Sequence, residues 1–150
     1  MGRTSQRSAA LKNGWRSGLE EALGEQLKSA GTPYEYEKLV VQYEQPAKMR
    51  KYTPDYVLLD NGIVVESKGR FVSADRQKHL LVQKQFKALD LRFVFSNPNQ
   101  RISKQSKTTY AMWCESHGFK YAKQRIPEAW LQEPPNAASL ALIRKLKGKP

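Results

Sequence analysis

Hydrophobic positions recur at helical spacing near the start of the chain and at strand spacing farther on, which predicts an α/β fold. Leucine occupies every fourth position from 19 to 27, and Gly31 would end this helix. Ser17 and Glu20 have the spacing of a capping box, so a structural role at the start of the helix is available to Glu20. The alternation over residues 34–43 predicts a strand.

Two apolar runs around Asn61-Gly62 predict a β-hairpin, because this dipeptide favours a tight type I′ turn. Asp55 begins the first strand, and Glu66 and Lys68 end the second. With Asn61-Gly62 as the turn, Asp55 lies opposite Lys68; with the turn one residue earlier, it lies opposite Glu66. Both registers place the three charged side chains on one face of the hairpin.

Two carboxylates and an ammonium on an otherwise apolar hairpin are costly to bury without partners. One explanation is a site for a hard divalent cation, since carboxylate oxygens suit Mg²⁺ or Mn²⁺ better than Zn²⁺. Such an ion lowers the pKa of a bound water, and Lys68 beside it can orient that water or offset charge on a phosphate. The alternative is an exposed cross-strand salt bridge without a function.

The second half of the chain predicts further helices and strands that would pack on the hairpin. A helix beginning at Ser73 or Asp75, a strand over residues 91–95 and a helix over residues 109–116 follow in that order. His79 is expected on the exposed surface of the first of these helices. Four aromatic residues are expected in the core or at its edge, namely Trp113, Phe119, Tyr121 and Trp130.

The formal net charge of +12 attracts polyanions, either nucleic acid or an anionic membrane surface. The membrane is the weaker interpretation, because no stretch approaches the ~18 apolar residues of a spanning helix. Cys114 is the only cysteine, so no intrachain disulfide forms and a reducing, cytoplasmic setting is expected. One cysteine and two histidines cannot complete a zinc tetrad, and the absence of a P-loop argues against a nucleotide cofactor.

The 150 residues have the length of one domain, and composition divides them into five segments. These are a basic arm (1–15), an αβ segment (16–44), a bridge (45–49), the main segment (50–137) and a basic tail (138–150). Arg3, Arg7 and Lys12 of the arm would follow a phosphate backbone, unless the arm is an inert tail. A short bridge that contains Pro46 can exchange elements between two chains, whereas a plain β-turn is the ordinary alternative.

Pro54-Asp55 followed by Glu66-Ser67-Lys68 resembles the Pro-Asp…(Asp/Glu)-x-Lys signature of the restriction-enzyme-like nucleases. From about residue 16 to 134, the chain also resembles the T7-type phage endonuclease I family in the order and spacing of its segments. The segments that carry this resemblance are Arg16–Glu20, Glu35–Glu37, Tyr52–Asp55, Asn61–Ile63, Lys78–Leu81 and Ile126–Trp130. Ser67 stands where the family is expected to have threonine, and both ends of the chain match weakly.

The resemblance implies a Holliday-junction resolvase, a metal-dependent endodeoxyribonuclease that cuts four-way and branched DNA. The implied fold is a restriction-endonuclease-like central mixed sheet flanked by helices, in an intertwined homodimer that exchanges segments. Asp55 and Glu66 match the metal-binding carboxylates, the carbonyl of Ser67 matches a further ligand, and Lys68 matches the catalytic lysine. Glu20 matches an acid that helps to hold the metal and that crosses the subunit boundary in the exchanged dimer.

The expected cofactor is Mg²⁺ or Mn²⁺, and the expected contacts to DNA are Arg3, Arg7, Lys12 and Arg16. Glu35 also falls on a position that matters in the family, with its role left open. Two alternatives remain: a nuclease of the same fold that acts on linear or mismatched duplex, and a basic DNA-binding protein without catalysis. A phage origin would place the protein in the cytoplasm of the host cell.

Overall fold

The computed structural model of the protein describes residues 18–45 and 48–148. The helices are α1 (Gly18–Ala30), α2 (Ser73–Gln85), α3 (Tyr110–His117), α4 (Glu128–Leu131) and α5 (Ala137–Lys147). The strands are β1 (Tyr34–Tyr36), β2 (Val41–Gln45), β3 (Lys48–Tyr52), β4 (Tyr56–Leu58), β5 (Ile63–Lys68), β6 (Asp90–Phe95) and β7 (Tyr121–Lys123). Within these residues, no helix combines the length and the apolar character that crossing a bilayer requires.

A mixed five-stranded sheet forms the centre of the molecule, in the order β1-β4-β5-β6-β7. The pairs β1–β4 and β4–β5 are antiparallel, whereas β5–β6 and β6–β7 are parallel. Strands β2 and β3 form a separate two-stranded sheet. The predicted class, an α/β fold with a central mixed sheet flanked by helices, is confirmed.

Helices cover both faces of the sheet, because its central strands are apolar on both sides. Val64 of β5 and Phe93 of β6 join one hydrophobic cluster, to which α2, α3 and α5 contribute. Val65 and Val94 point the other way and pack with α1 and α4. The period-2 alternation of side chains in β5 and β6 therefore builds two cores on one sheet.

The turn between β4 and β5 differs from the predicted type I′ turn. Tyr56 pairs with Val65, which leaves a four-residue connection between the strands. Gly62 has a φ of +83°, but Asn61 does not have a positive φ, as a type I′ turn would require. The Asn61 side chain instead donates to the carbonyl of Trp130 at 2.8 Å and accepts from the amide of Ile63 at 3.1 Å. The pairing of Tyr56 with Val65 corresponds to the second of the two predicted registers, in which Asp55 lies opposite Glu66.

The strand predicted over residues 34–43 is divided between two sheets. Residues Tyr34–Tyr36 pair with β4, and Val41–Gln45 pair with β3. The break occurs at Glu37, which adopts a left-handed φ of +50° and donates its amide to the Asp55 carbonyl at 3.0 Å. A continuous strand over these residues was therefore a wrong prediction.

The predicted bridge lies at the end of the β2–β3 hairpin, where Gln45 pairs with Lys48. Pro46 and Ala47 lie outside the described residues, as does the expected helix cap Ser17. The hairpin is formed within one chain, so exchange of segments between two chains remains a prediction.

The region expected to be a basic tail contains helix α5, which packs on the core through Ile143 and Leu146. Asn136 caps this helix by accepting from the Ser139 amide at 3.1 Å. The Ser139 hydroxyl then donates to the Gly62 carbonyl at 2.7 Å and accepts from the Asp90 amide at 3.1 Å. Helix α5 is thus fixed to the hairpin that precedes the candidate site.

Candidate active site

Asp55 is the residue on which the candidate site is built. It lies immediately before β4, and only 1% of its surface is exposed. Its Oδ2 accepts hydrogen bonds from the Ser67 amide at 2.9 Å and from the Ser67 hydroxyl at 2.7 Å. Its own amide is 3.3 Å from Oε1 of Glu66. These bonds across the hairpin fix the Asp55 carboxylate beside the end of β5.

Glu66 and Lys68 extend from the end of β5 on the side of Asp55. Glu66 is buried, its Oε1 accepts from the Tyr52 hydroxyl at 2.8 Å, and its Oε2 is 3.4 Å from Nζ of Lys68. Burial and the negative charge of Asp55 raise the pKa of Glu66 to about 7, and Lys68 partly opposes this rise. The exposed salt bridge considered as an alternative does not fit, because 4% of the Glu66 side chain and 16% of that of Lys68 are accessible.

A second group of carboxylates meets Asp55 from α1 and from the end of β1. Oxygen atoms of Glu20, Glu37 and Asp55 all lie within 4.8 Å of one another. The Tyr36 hydroxyl donates to the Glu20 carboxylate, and the Tyr56 hydroxyl donates to the Glu20 carbonyl at 2.7 Å. Asp55 is therefore shared between this acidic group and the Glu66–Lys68 segment.

Glu37 was missed by the sequence analysis, although the segment that contains it was among those compared. Alternation along a strand places Glu35 and Glu37 on one face. The left-handed backbone at Glu37 breaks that alternation, and its carboxylate joins Asp55. Glu35 instead forms an ion pair with Lys147, at 2.9 Å between Nζ and Oε2. Tyr52, the partner of Glu66, was also not singled out.

The expected surface position of His79 is wrong, since its side chain is fully buried behind the site. Its ring contacts Tyr52, Phe71 and Phe93, with centroids 5.0, 6.1 and 4.9 Å away. Burial, and to a smaller extent Lys68 and Lys78, hold the pKa of His79 well below its usual value. The ring is therefore a neutral part of the core.

The five predicted site residues lie close together in the fold of one chain. Glu20 reaches Asp55 of the same chain, and its contribution from a partner subunit remains a prediction. The predicted contacts to DNA (Arg3, Arg7, Lys12 and Arg16) lie outside the described residues. The acidic donors are all carboxylate oxygens, which is the donor set that hard divalent cations prefer.

The structure thus places a buried aspartate at the start of one hairpin strand and Glu-x-Lys at the end of the next, which is the pattern that the sequence analysis compared with restriction-enzyme-like nucleases. All of residues 1–150 match the family model described as "Phage endonuclease I", and the chain belongs to this family. It is 44% identical over 135 residues to "Endonuclease I" of Escherichia phage T7, covering 90% of each chain. It is 42% identical over 134 residues to "Endodeoxyribonuclease 1" of Enterobacteria phage T3, covering 89% of this chain and 88% of the relative. The resemblance stated from the sequence is confirmed, and the protein is a phage endonuclease.

Proposed function

We propose that this endonuclease resolves four-way and branched DNA junctions by hydrolysing phosphodiester bonds with a divalent metal ion. The observation that carries the proposal is the position of Asp55, between the Glu20–Glu37 carboxylates and the Glu66–Lys68 segment. An isolated salt bridge has no need for three further buried or half-buried acids around one aspartate. A nuclease site needs such a group of acids, because a divalent cation that binds phosphate requires several oxygen ligands.

The proposed metal ligands are the carboxylates of Asp55, Glu66 and Glu20 and the carbonyl of Ser67, and the structure adds Glu37 as a neighbour. Mg²⁺ or Mn²⁺ in this site would lower the pKa of water and draw negative charge from the phosphate. Ser67 keeps the Asp55 carboxylate oriented through its amide and hydroxyl. Lys68 places a positive charge next to Glu66, where it can orient the attacking water and stabilise the pentacovalent phosphate. The expected products carry 5′-phosphate and 3′-hydroxyl ends.

The proposed active form is a homodimer in which two identical sites face two strands of the junction. A four-way junction offers strands of equal status, and a two-fold assembly can cut both. The β2–β3 hairpin supports this proposal, since the αβ segment passes into the main segment there and Gln45 pairs with Lys48. Opening the hairpin at residues 46–47 would allow β2 of one chain to pair with β3 of another.

Selection of branched DNA would come from phosphate positions and junction shape, with little reading of bases. The net charge of +12 supplies the attraction to the backbone, and Arg3, Arg7, Lys12 and Arg16 are the proposed contacts of the N-terminal region. The proposed place of action is the cytoplasm of the host cell, where phage DNA is processed.

The test is the cleavage of a labelled four-way junction with Mg²⁺, at protein concentrations that give equal binding. We expect the native chain to cut paired strands near the branch point and Asp55→Asn to bind the junction without measurable cleavage. Asp60→Asn, in the exposed part of the same hairpin loop, is the matched control and should cut like the native chain.

Three outcomes would contradict parts of this proposal. Cleavage of linear duplex as fast as the junction would leave the chemistry and remove the junction selectivity. Binding by both proteins without cleavage under any divalent cation would indicate a DNA-binding protein. Undiminished cleavage by Asp55→Asn would place the reaction at another site.

A further inference from the structure

Tyr52 contacts the candidate site from outside the central sheet. It is the last residue of β3, which belongs to the separate β2–β3 sheet, whereas Glu66 belongs to β5. The Tyr52 hydroxyl donates to Oε1 of Glu66 at 2.8 Å, and both side chains are buried. Neither the nuclease signature nor the acidic group around Asp55 includes this tyrosine. Its hydroxyl is therefore a polar group at the site to which the proposed reaction has not yet given a role.

The two carboxylate oxygens of Glu66 have different surroundings. Oε1 accepts from the Tyr52 hydroxyl and from the Asp55 amide, which is 3.3 Å away. Oε2 faces the ammonium of Lys68, whose Nζ is 3.4 Å away. Because a carboxylate oxygen has two lone pairs, the two donors occupy Oε1, whereas Oε2 keeps a lone pair beside Lys68. The contacts of Oε1 thus leave Oε2 as the oxygen available to a cation.

The ring of Tyr52 is itself held in place by its neighbours. The His79 ring meets it edge-on, with centroids 5.0 Å apart, and Nζ of Lys78 lies 5.2 Å from its centre. Tyr52 also belongs to the hydrophobic cluster that covers one face of the central sheet. A glutamate side chain has more rotamer freedom than a packed tyrosine ring. The fixed phenol therefore restricts Glu66, which could otherwise turn either oxygen towards the site.

We propose that Tyr52 is a positioning residue for the reaction and that it acts through Glu66. This inference rests on the proposed nuclease function and on Glu66 as one of its metal ligands. Tyr52 would touch neither the phosphate nor the metal; its hydroxyl keeps Oε1 occupied and Oε2 directed into the site. Removing a hydrogen-bond partner of a metal ligand typically lowers metal affinity or activity by about 10- to 100-fold. Loss of the Tyr52 hydroxyl should therefore weaken metal binding and leave junction binding unchanged.

A purely structural role for the hydroxyl gives a different expectation. A buried carboxylate needs donors, and a tyrosine that packs in a core needs a partner for its hydroxyl. If this were its whole role, removing the hydroxyl would lower the stability of the protein and leave its metal dependence unchanged. The dependence of cleavage on the concentration of Mg²⁺ therefore separates the two roles.

The experiment compares Tyr52→Phe with the control Tyr121→Phe under single-turnover conditions with the labelled junction. Tyr121 is a matched control, because its hydroxyl also donates to a glutamate, to Oε1 of Glu115 at 2.6 Å, but in an exposed hydrogen bond. We expect Tyr52→Phe to raise the half-saturating concentration of Mg²⁺ by about 10- to 100-fold. Saturating Mg²⁺ should return the rate constant to within about threefold of native, since every proposed ligand is still present. The dissociation constant for the junction without metal should stay within about twofold, because the phosphate contacts are intact.

Two measurements without cleavage accompany the rates. Electron paramagnetic resonance of free Mn²⁺ gives the dissociation constant of the metal in the absence of DNA. This constant should rise by about 10- to 100-fold in Tyr52→Phe and stay within about twofold of native in Tyr121→Phe. 3-Fluorotyrosine in place of Tyr52 retains the ring and the hydroxyl, so it reports on the site even if Tyr52→Phe does not fold. Its ¹⁹F signal should shift when Mg²⁺ is added, because a cation on Glu66 weakens the hydrogen bond from the phenol, whereas 3-fluorotyrosine in place of Tyr121 should show no shift.

Several results would overturn the inference. They are a half-saturating Mg²⁺ concentration or an Mn²⁺ dissociation constant within about twofold of native for Tyr52→Phe, a loss of rate that saturating Mg²⁺ does not restore, and a ¹⁹F signal at position 52 that does not shift with Mg²⁺. If the native chain cuts the junction and Tyr52→Phe has the same metal dependence, the proposed function stands and this inference fails. If the native chain cuts no DNA with any divalent cation, the proposed function fails, and the Mn²⁺ and ¹⁹F measurements still decide whether Tyr52 directs Glu66 to a metal.

Discussion

His79 is a residue whose burial makes the stability of the protein depend on pH. Both ring nitrogens are buried without a hydrogen-bond partner among the described residues, and Tyr52, Lys68 and Lys78 are the titratable groups that face the ring. Folding lowers the pKa of His79. Below about pH 6.5 the unfolded chain therefore binds a proton at this histidine, whereas the folded chain does not. The contribution of His79 to the free energy of unfolding should therefore fall by up to about 1.4 kcal/mol per pH unit below that point.

The measurement is urea unfolding of the native chain and of His79→Leu between pH 5 and 7.5. The difference between the two proteins isolates His79, since the raised pKa of Glu66 acts in the opposite direction and is present in both. We expect this difference to be constant above about pH 6.5 and to shift in favour of His79→Leu below it. His117→Gln, at the exposed histidine of α3, should reproduce the native pH dependence; an unchanged slope in His79→Leu would show that His79 takes up its proton in the folded state.

Glu37 and His79 show which residues could not be placed from the sequence. Asp55, Glu66 and Lys68 could be predicted because they interrupt apolar runs at fixed spacing, and the hairpin brings them together. Glu37 could not, because a left-handed φ at a glutamate has no sequence signal and reverses the face to which alternation assigns it. The burial of His79 could not be predicted, because the lysines and glutamines around it in α2 indicate an exposed helix, whereas its ring packs in an aromatic cluster.

At the scale of elements, the prediction was good for strongly periodic segments and poor where tertiary contacts decide. Helix α1 and strand β6 have regular patterns and lie where these patterns indicate. The residues predicted as one strand over 34–43 belong to two sheets, because the chain bends at Glu37, where the Glu37 amide donates to the Asp55 carbonyl. Helix α5 has its apolar positions Ile143 and Leu146 among basic residues, so its sequence resembles a solvated tail.

The attachment of α5 gives a prediction that belongs to this scale. In Ser139→Ala, the buried Gly62 carbonyl and the Asp90 amide lose their partner on α5. A buried group left unsatisfied costs about 1–3 kcal/mol, and because the Asp90 amide is only partly buried, we expect the free energy of unfolding to fall by about 2 kcal/mol. Thermal unfolding followed by circular dichroism measures this loss as a fall in Tm of roughly 4–8 °C.

Ser103→Ala is the matched control, because this serine is exposed, and its Tm should change by less than about 1 °C. An equal Tm for Ser139→Ala and the native chain would mean that water replaces the serine hydroxyl. In that case the packing of Ile143 and Leu146 would hold α5 without a contribution from the serine hydroxyl.

At the scale of the whole molecule, the proposed dimer depends on the balance between two ways of pairing β2 with β3. Within one chain, all five residues of β2 pair with β3, from Val41 with Tyr52 to Gln45 with Lys48. In the proposed dimer the same pairs would form between two chains, so the two forms would differ mainly in the connection between the strands. We expect a short connection that contains Pro46 to favour exchange, because short hinge loops promote segment swapping and proline restricts the backbone.

Lengthening this connection should therefore convert the proposed exchanged dimer into a monomer. We expect the native chain to run as a dimer in size-exclusion chromatography with light scattering at micromolar concentration. A variant with four residues, Gly-Ser-Gly-Ser, inserted between Pro46 and Ala47 should shift towards the monomer, since a longer loop closes within one chain without strain. The same insertion between Lys104 and Gln105, in an exposed loop, controls for the added length and should leave the dimer intact. If the inserted variant remains a dimer with undiminished paired cutting, the two subunits associate through another surface and each carries its own complete Glu20–Asp55 site.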